Sequence, residues 1–421
     1  MQVRLNSEFI CIKFVNFKLK YLKLFIYLNI EHQKFIIDNE EQDLHQLALK
    51  AHLYPHLPIQ ELITQIAARQ KAKIKLPTFY ANMDIVYPPM ISMEQCSSEQ
   101  TATYKASLLK GNVLIDLTGG FGIDAYFFGK NFKKVIYIEK NEALAKIAQQ
   151  NFEVLGAKHI EVVHAEAETF IKNYKGEVDY IYIDPARRNQ ANKKVFLLED
   201  CEPNILDILP WTSAKVVLKT SPMLDIDLAI KTLKKVSEVF VLAVDNECKE
   251  VVYMIENVEN NHLQNIEKQI HIHTINFSRS QTQNLSFSRQ EEEDIEVNYS
   301  FPQLYLYEPN AAILKAGAFK IIAKKYHLFK LAMHTHLYTA NHLEETFVGR
   351  TFLIEAVCRL DKKEIMHHLP DNKANISTRN FPLTVDEIRK KIGIREGGNI
   401  FLFAITNCEG KKVVLVCKKI Y

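Results

Sequence analysis

The chain lacks any Cys-x-x-Cys pair, and its seven cysteines (11, 96, 201, 248, 358, 408 and 417) are odd in number and scattered. That pattern argues against a disulfide framework or a zinc site and for reduced thiols in a cytoplasm. A membrane-length apolar run is missing too. Residues 1–30 are rich in Phe, Leu and Ile, but Lys13, Lys18, Lys20 and Lys23 break the run well short of the roughly 20 apolar residues a bilayer requires. No small-residue cleavage site marks a secretory signal. The stretch reads as an extra strand or helix, or as lying ahead of the true start. Charge of one sign is also scarce: 53 basic against 50 acidic residues leave +3, which neither demands nor excludes nucleic acid. The single tryptophan, Trp211, follows Pro210; its indole can stack on a base, and core packing is the role expected of it.

What is present is a chain of 421 residues, 47% hydrophobic, long enough for roughly two to four domains. Its organising stretch is Asn112 to Ala125, NVLIDLTGGFGIDA. Val113, Leu114 and Ile115 suit a buried parallel strand ending in Asp116. Gly119, Gly120 and Gly122 then allow a sharp turn with room for a ligand, and Ile123 to Lys130 continues as a helix whose N-terminal N–H groups face it. Gly120-x-Gly122-x-x-Ala125 also satisfies the dinucleotide fingerprint, so the following segments must discriminate.

Lys133 to Ile138 forms a second apolar run ending in Glu139, placed to accept bonds from two ribose hydroxyls. Ile160 to Val163 precedes His164-Ala165-Glu166-Ala167, where a carboxylate can meet an adenine amino group, and Val178 to Ile183 runs into Asp184-Pro185-Ala186-Arg187-Arg188. On these four ordered motifs the chain resembles the class I S-adenosylmethionine-dependent methyltransferases over roughly Ser97 to Glu256. The resemblance implies a Rossmann-like α/β fold with S-adenosyl-L-methionine as cofactor and no metal. By it, Asp116 and the turn of Gly119, Gly120 and Gly122 hold the methionine part, Glu139 the ribose and Glu166 the adenine, with Thr118, Lys140, Ala167 and Asp184 also cofactor-binding. Asp184 and Pro185 form the floor on which the methyl acceptor lies.

The Asp-x-Thr-x-Gly-x-Gly-x-Asp-Ala loop looks most like bacterial ribosomal RNA methyltransferases, and Asp-Pro-Ala-Arg like the RNA uracil-5 enzymes. The latter place a Ser-Cys-Asn-Pro nucleophile loop after strand five. Here Lys219-Thr220-Ser221-Pro222 stands there, and without a thiol covalent attack on a pyrimidine is not expected. The aromatic residue that follows the proline pair in amino-methylating enzymes is absent as well. Arg187 and Arg188 come instead, and two guanidiniums beside the acceptor floor can clamp a phosphate or carboxylate; the bland alternative is turn arginines bonded to Asp179.

Five segments follow from this reading. Residues 1–30 are an extension. Residues 31–95 form a helical domain, with Leu44, Leu47 and Ala48 and then Ile59, Leu62, Ile63, Ile66 and Ala67 at helical spacing. Residues 96–257 are the methyltransferase domain. There Cys96 to Lys105 either closes over the cofactor or is a surface helix capped by Ser97 or Ser98, Glu142 to Leu155 is a crossover helix, and Val239 to Val244 with Val251 to Ile255 makes an antiparallel hairpin. Residues 258–345 form an α+β domain, in which His271-Ile-His273 is strand-like, Gln281 to Gln290 polar, Glu291 to Asp294 a solvated loop, and Glu308-Pro309-Asn310 either a helix cap, the reading preferred, or a group facing the active site. Residues 346–421 are a second α+β domain with strands Phe347 to Val357, Asn399 to Thr406 and Lys412 to Cys417 around a helix, Val385 to Ile392.

That tail holds 14 Lys/Arg against 8 Asp/Glu from Thr346 on and, with Arg379-Asn-Phe-Pro382, looks like the THUMP-like tail of a little-characterised bacterial methyltransferase family. The likeness implies RNA binding. His334-x-His336 with His342, and His367-His368, are read as chance spacings and not metal clusters. The function expected is therefore cytoplasmic methyl transfer to an RNA nitrogen or oxygen, with Asp184, Pro185, Arg187 and Arg188 at the acceptor. The alternatives are a small-molecule or protein methyltransferase, an RNA-binding module that keeps a cofactor pocket, and an NAD-dependent oxidoreductase.

Overall fold

The computed structural model of the chain describes residues 28–186, 197–256, 270–278 and 281–420. Most of the N-terminal extension, Arg187 and Arg188 lie outside the described residues. Two compact units divide the chain: Met1–Lys219 with Glu256–Glu259, and Thr220–Ile255 with Asn260–Tyr421.

In the first unit β1 (Gly111–Asp116), β2 (Phe132–Glu139), β3 (Ile160–His164), β4 (Tyr180–Ile183) and β5 (Lys215–Thr220) lie in the order β3-β2-β1-β4-β5. All of their pairings are parallel. Their apolar stretches are continuous because both faces are covered, as in other parallel sheets. The crossover helix Glu142–Val154 buries Ala145, Ile147, Ala148 and Phe152, while Leu144 and Leu155 are only half-buried. Chain order jumps at β1, between β2 on one side and β4 on the other. This is the switch point where α/β sheets open a crevice at the carboxyl ends of their strands.

The N-terminal helices Ile30–Asn39, Leu44–Leu49 and Ile59–Lys75 pack around Phe35, Ile36, Leu47, Leu62 and Ile66. Two buried amides join this layer to the sheet's helices. The Gln65 side chain bonds both the N–H (2.9 Å) and the C=O (2.8 Å) of Tyr87. Asn151, on the crossover helix, does the same for Val86 at 2.9 Å in each direction. Buried amide groups paired in this way satisfy donor and acceptor together.

The second unit contains β6 (Val236–Val244) and β7 (Glu247–Ile255), an antiparallel hairpin turned by Asp245 and Asn246, both at positive φ. β6 also pairs in parallel with β8 (His271–Phe277), which pairs with β9 (Thr282–Ser288). The polar stretch after Gln281 is thus a strand, because alternate residues (Leu285 and Phe287) supply its buried face. The acidic run is not a solvated loop either. Arg289–Asp294 is a helix with a Ser288/Glu291 capping box, and buried Glu292 accepts the backbone N–H groups of Phe319, Lys320 and Ile321.

The remaining strands are β10 (Tyr305–Pro309), β11 (Phe329–Lys330), β12 (Tyr338–Ala340), β13 (Gly349–Cys358), β14 (Asn375–Arg379), β15 (Ile400–Thr406) and β16 (Lys412–Lys419). They form a seven-stranded sheet in the order β11-β12-β10-β13-β16-β15-β14. The expected helix Val385–Ile392 is present, opened by a Thr384/Glu387 capping box and closed by Gly393 in the left-handed conformation. Asn310 caps the helix Ala311–Ala316 through Ile313 N–H.

Candidate functional site

Three hydrogen bonds hold the glycine turn against β2. Gly119 N–H donates to Ile138 O (2.8 Å), Gly120 N–H to Glu139 Oε2 (2.8 Å), and the Tyr137 hydroxyl to Gly120 O (2.6 Å). A Cβ on Gly119 would come within 2.2 Å of the Tyr137 ring, so only glycine lets the loop lie this close to β2. Gly120 (φ +57°) and Gly122 (φ +82°) occupy the left-handed region, and Gly122 opens the helix Ile123–Phe128.

Three acidic residues are bonded to this turn. Asp116 is buried and accepts Thr118 N–H at 3.0 Å; burial, then the charges of Asp124, Asp184 and Glu139, push it up to about 8. Glu139 accepts Gly120 N–H and Asn141 N–H (2.7 Å), and burial raises its pKa against those two bonds. Asp184, half-buried at the tip of β4, donates its N–H to Thr118 Oγ1 at 2.6 Å. Pro185 behind it is buried. Beside the turn, Lys140 is engaged with Glu202 at 2.6 Å, and Glu202 pairs its backbone with Ala186. Glu166 is exposed at the start of the helix Ala167–Asn173 and adds negative charge near Glu139 and Lys140; Ala167 is buried.

Sequence reasoning missed the cations. Lys219, next to last in β5, lies beside Asp184, since Ile183 pairs with Leu218, and its Nζ lies 2.6 Å from Asp184 Oδ2, 3.0 Å from Ser97 Oγ and 3.8 Å from Asp124 Oδ2. Lys105 is 1% exposed, with Nζ 2.9 Å from Asp124 Oδ1 and 2.8 Å from Ser97 Oγ. The hydroxyls of Tyr182 (2.7 Å) and Ser97 (2.8 Å) both donate to Asp124 Oδ2. Asp124 is consequently held low, at about 2: burial opposes its charge, but Lys105, Lys219 and these bonds outweigh it. Burial raises Asp184 and Lys219 counters it.

The segment before β1 is thus more than a surface helix. Ser98 caps Glu99–Ser107 through Thr101 N–H, while Ser97 and Lys105 turn inward. The available signal was Asp124 inside the glycine motif, since a buried acid needs a cation and the neighbouring strand tip supplies Lys219. Asp179 accepts the backbone N–H groups of Asn112 (2.6 Å) and Val113 (2.9 Å). Trp211 is 53% exposed, so the expected core role is wrong: the short turn Leu209–Trp211 carries it on the surface, where Lys172 Nζ sits 5.4 Å from its ring centroid.

The strand order, the glycine turn at the switch point and the acids at successive strand tips define a class I methyltransferase fold. Family models agree: residues 101–240 match the family described as Conserved hypothetical protein 95, residues 305–347 a ferredoxin-like domain, and residues 349–419 a THUMP domain-like family. A crystal structure of a "putative methyltransferase" from Porphyromonas gingivalis W83 is 31% identical and covers 93% of this chain and 98% of its own, with a TM-score of 0.78. The chain belongs to that methyltransferase family, with a THUMP-like domain at its C-terminal end. It is also 33% identical over 85 residues to an "Uncharacterized RNA methyltransferase" of Thermotoga maritima; the match takes in 20% of this chain and only 19% of that protein's length. Among the described residues no helix is long and apolar enough to cross a membrane.

Proposed function

We propose that the chain transfers a methyl group from S-adenosyl-L-methionine to a nitrogen or oxygen of RNA, with Asp184 at the acceptor. The observation that carries this reading is the Asp184–Lys219 pair at the tips of β4 and β5, next to the glycine turn.

The residues of the turn fit such a cofactor. Loop glycines leave space where side chains would otherwise stand. Glu139 uses one lone pair of each oxygen on backbone N–H groups, which fixes its carboxylate and leaves acceptor capacity for ribose hydroxyls. The buried carboxylates suit a ligand carrying positive charge, and Asp116, high in its pKa, deprotonates most readily when a cation approaches.

When bound, the cofactor supplies an electrophilic methyl group. Asp184 accepts a hydrogen bond or proton from the attacking N–H or O–H, and the loop and Pro185 hold acceptor and donor in line. Burial raises the Asp184 pKa, and Lys219 opposes that rise and so favours the ionised form, the one that can act as a base. With no thiol after β5, the methyl passes directly. RNA as acceptor is supported by the THUMP-like domain and by the printed name of the Thermotoga maritima relative.

The test is methylation of RNA from a strain lacking the gene, with labelled cofactor and mass spectrometry of the nucleosides. One newly methylated nucleoside, lost in Asp184→Asn, is the expected result. Transfer only to protein or small molecules would refute the RNA reading.

A further inference from the structure

The second unit has a charge cluster of its own. Glu308 on β10 is 2% exposed, yet two arginines share it. Arg350, directly opposite on β13, places Nε 2.7 Å from Oε2 and adds Nη2 to the same oxygen. Arg379, at the end of β14, places Nη2 2.7 Å from Oε1 and Nη1 2.9 Å from Thr378 O.

We infer that Arg350 and Arg379, fixed by Glu308, form a phosphate-binding site that takes a phosphodiester of the RNA backbone. The inference rests on RNA being the acceptor. One carboxylate needs one guanidinium for neutrality, and here it has two, with side chains 36% and 34% exposed. Each guanidinium carries five N–H donors, and among the described residues Arg350 and Arg379 use only part of theirs. The remaining edges are presented already oriented, which lowers the entropy lost on capturing a phosphate.

The surroundings are positive as well. His336, stacked on Phe319 with ring centroids 3.7 Å apart, is pushed down to about 4, first by burial and then by the charges of Lys330, His334 and Arg379. Its Nδ1 is buried with no hydrogen-bond partner among the described residues. Lys330 is buried and donates to Met333 O at 3.0 Å; Glu292, which acts on it, is committed to three backbone N–H groups. Counting both acids against Lys330 and the two arginines still leaves one positive charge over.

The test uses the full-length protein and two probes. Inorganic phosphate is titrated while the His336 ring protons are followed by NMR, and a single-stranded oligoribonucleotide is titrated across a range of salt. Phosphate should raise the His336 pKa in the wild type and leave it unmoved in Arg379→Gln. Arg350→Gln and Arg379→Gln should each weaken RNA binding about tenfold and reduce the salt slope by about one, the signature of a lost phosphate contact, with cofactor affinity unchanged. Arg379→Lys keeps a cation on Glu308 and guards against misfolding; it should keep the slope. Unchanged slopes in both Gln variants would reduce the cluster to a structural ion triad. If phosphate moves His336 but the wild type binds no RNA, the site serves a free phosphate and the RNA source is refuted. If RNA is methylated while His336 ignores both probes, the site is refuted and the function stands.

Discussion

Lys219 Nζ and Asp184 Oδ2 stand 2.6 Å apart, at the ends of adjacent parallel strands whose tips open beside the glycine turn. A base at this position must be ionised before the acceptor arrives, and burial alone would favour its neutral form. Lys219→Met therefore raises the Asp184 pKa further. Turnover should fall most at low pH and recover in part as pH rises, moving the acidic limb of the single-turnover profile upward. An unshifted limb would show that the pair is not what titrates. Asp184→Asn, which removes the proposed base altogether, should lower turnover by about 10² at every pH with little change in cofactor affinity.

Asp116 links stability to pH with a definite sign. Its folded pKa, about 8, lies above the unfolded carboxylate value of roughly 3.9, so between these limits the folded chain binds more protons than the unfolded one. Stability from this group is full at low pH and declines as pH rises toward 8, by at most about 1.4 kcal/mol per unit. Denaturant unfolding of Asp116→Asn should show a flatter pH dependence above pH 5. Cofactor binding at neutral pH should release a proton, measurable by calorimetry in buffers of different ionisation enthalpy.

Glu139→Ala should weaken cofactor binding by about 1.5 to 3 kcal/mol, because it loses a carboxylate that also fixes Gly120. Gly120→Val places a β-branched residue at φ +57° and should abolish binding more completely. Equal titrations for wild type and both variants would dissociate the turn from the cofactor.

Trp211→Leu should leave stability within about 0.5 kcal/mol, since the ring is mostly solvated. As the only tryptophan, it should emit as a hydrated indole and be quenched if RNA bases stack on it. RNA binding that neither quenches the emission nor responds to the substitution would make Trp211 a bystander.

Much of the first unit was readable in the sequence because each signal was local. Apolar runs too short for helices marked β1 and β2, and the acids Asp116, Glu139 and Asp184 follow or end their strands directly. The cations were not readable, since Lys105, Asp124, Ser97 and Lys219 are separated along the chain and meet only once β4 and β5 are aligned. The same holds for Glu308, read as part of a helix cap: Asn310 does the capping, and the partners of Glu308 lie 42 and 71 residues away. Polar β9 and buried Glu292 were hidden because their burial comes from neighbours and not from composition. Cutting the chain at Thr346 would strip β13 from β10 and both arginines from Glu308, so point substitutions are the sounder probe of the tail.

The amide pairs of Gln65 and Asn151 carry a lesson for anyone seeking a minimal catalytic fragment. Val86 and Tyr87 are pinned between a helix of the N-terminal layer and the crossover helix of the sheet, so removing residues 28–95 would leave the Asn151 carboxamide facing solvent without its backbone partner. It would also uncover Phe121, whose ring packs 5.5 Å from Phe79 and 6.0 Å from Tyr87, immediately beside the glycine turn. The N-terminal helices are in this sense the backing of the glycine turn, and a fragment trimmed to the sheet alone would start its life with that backing missing.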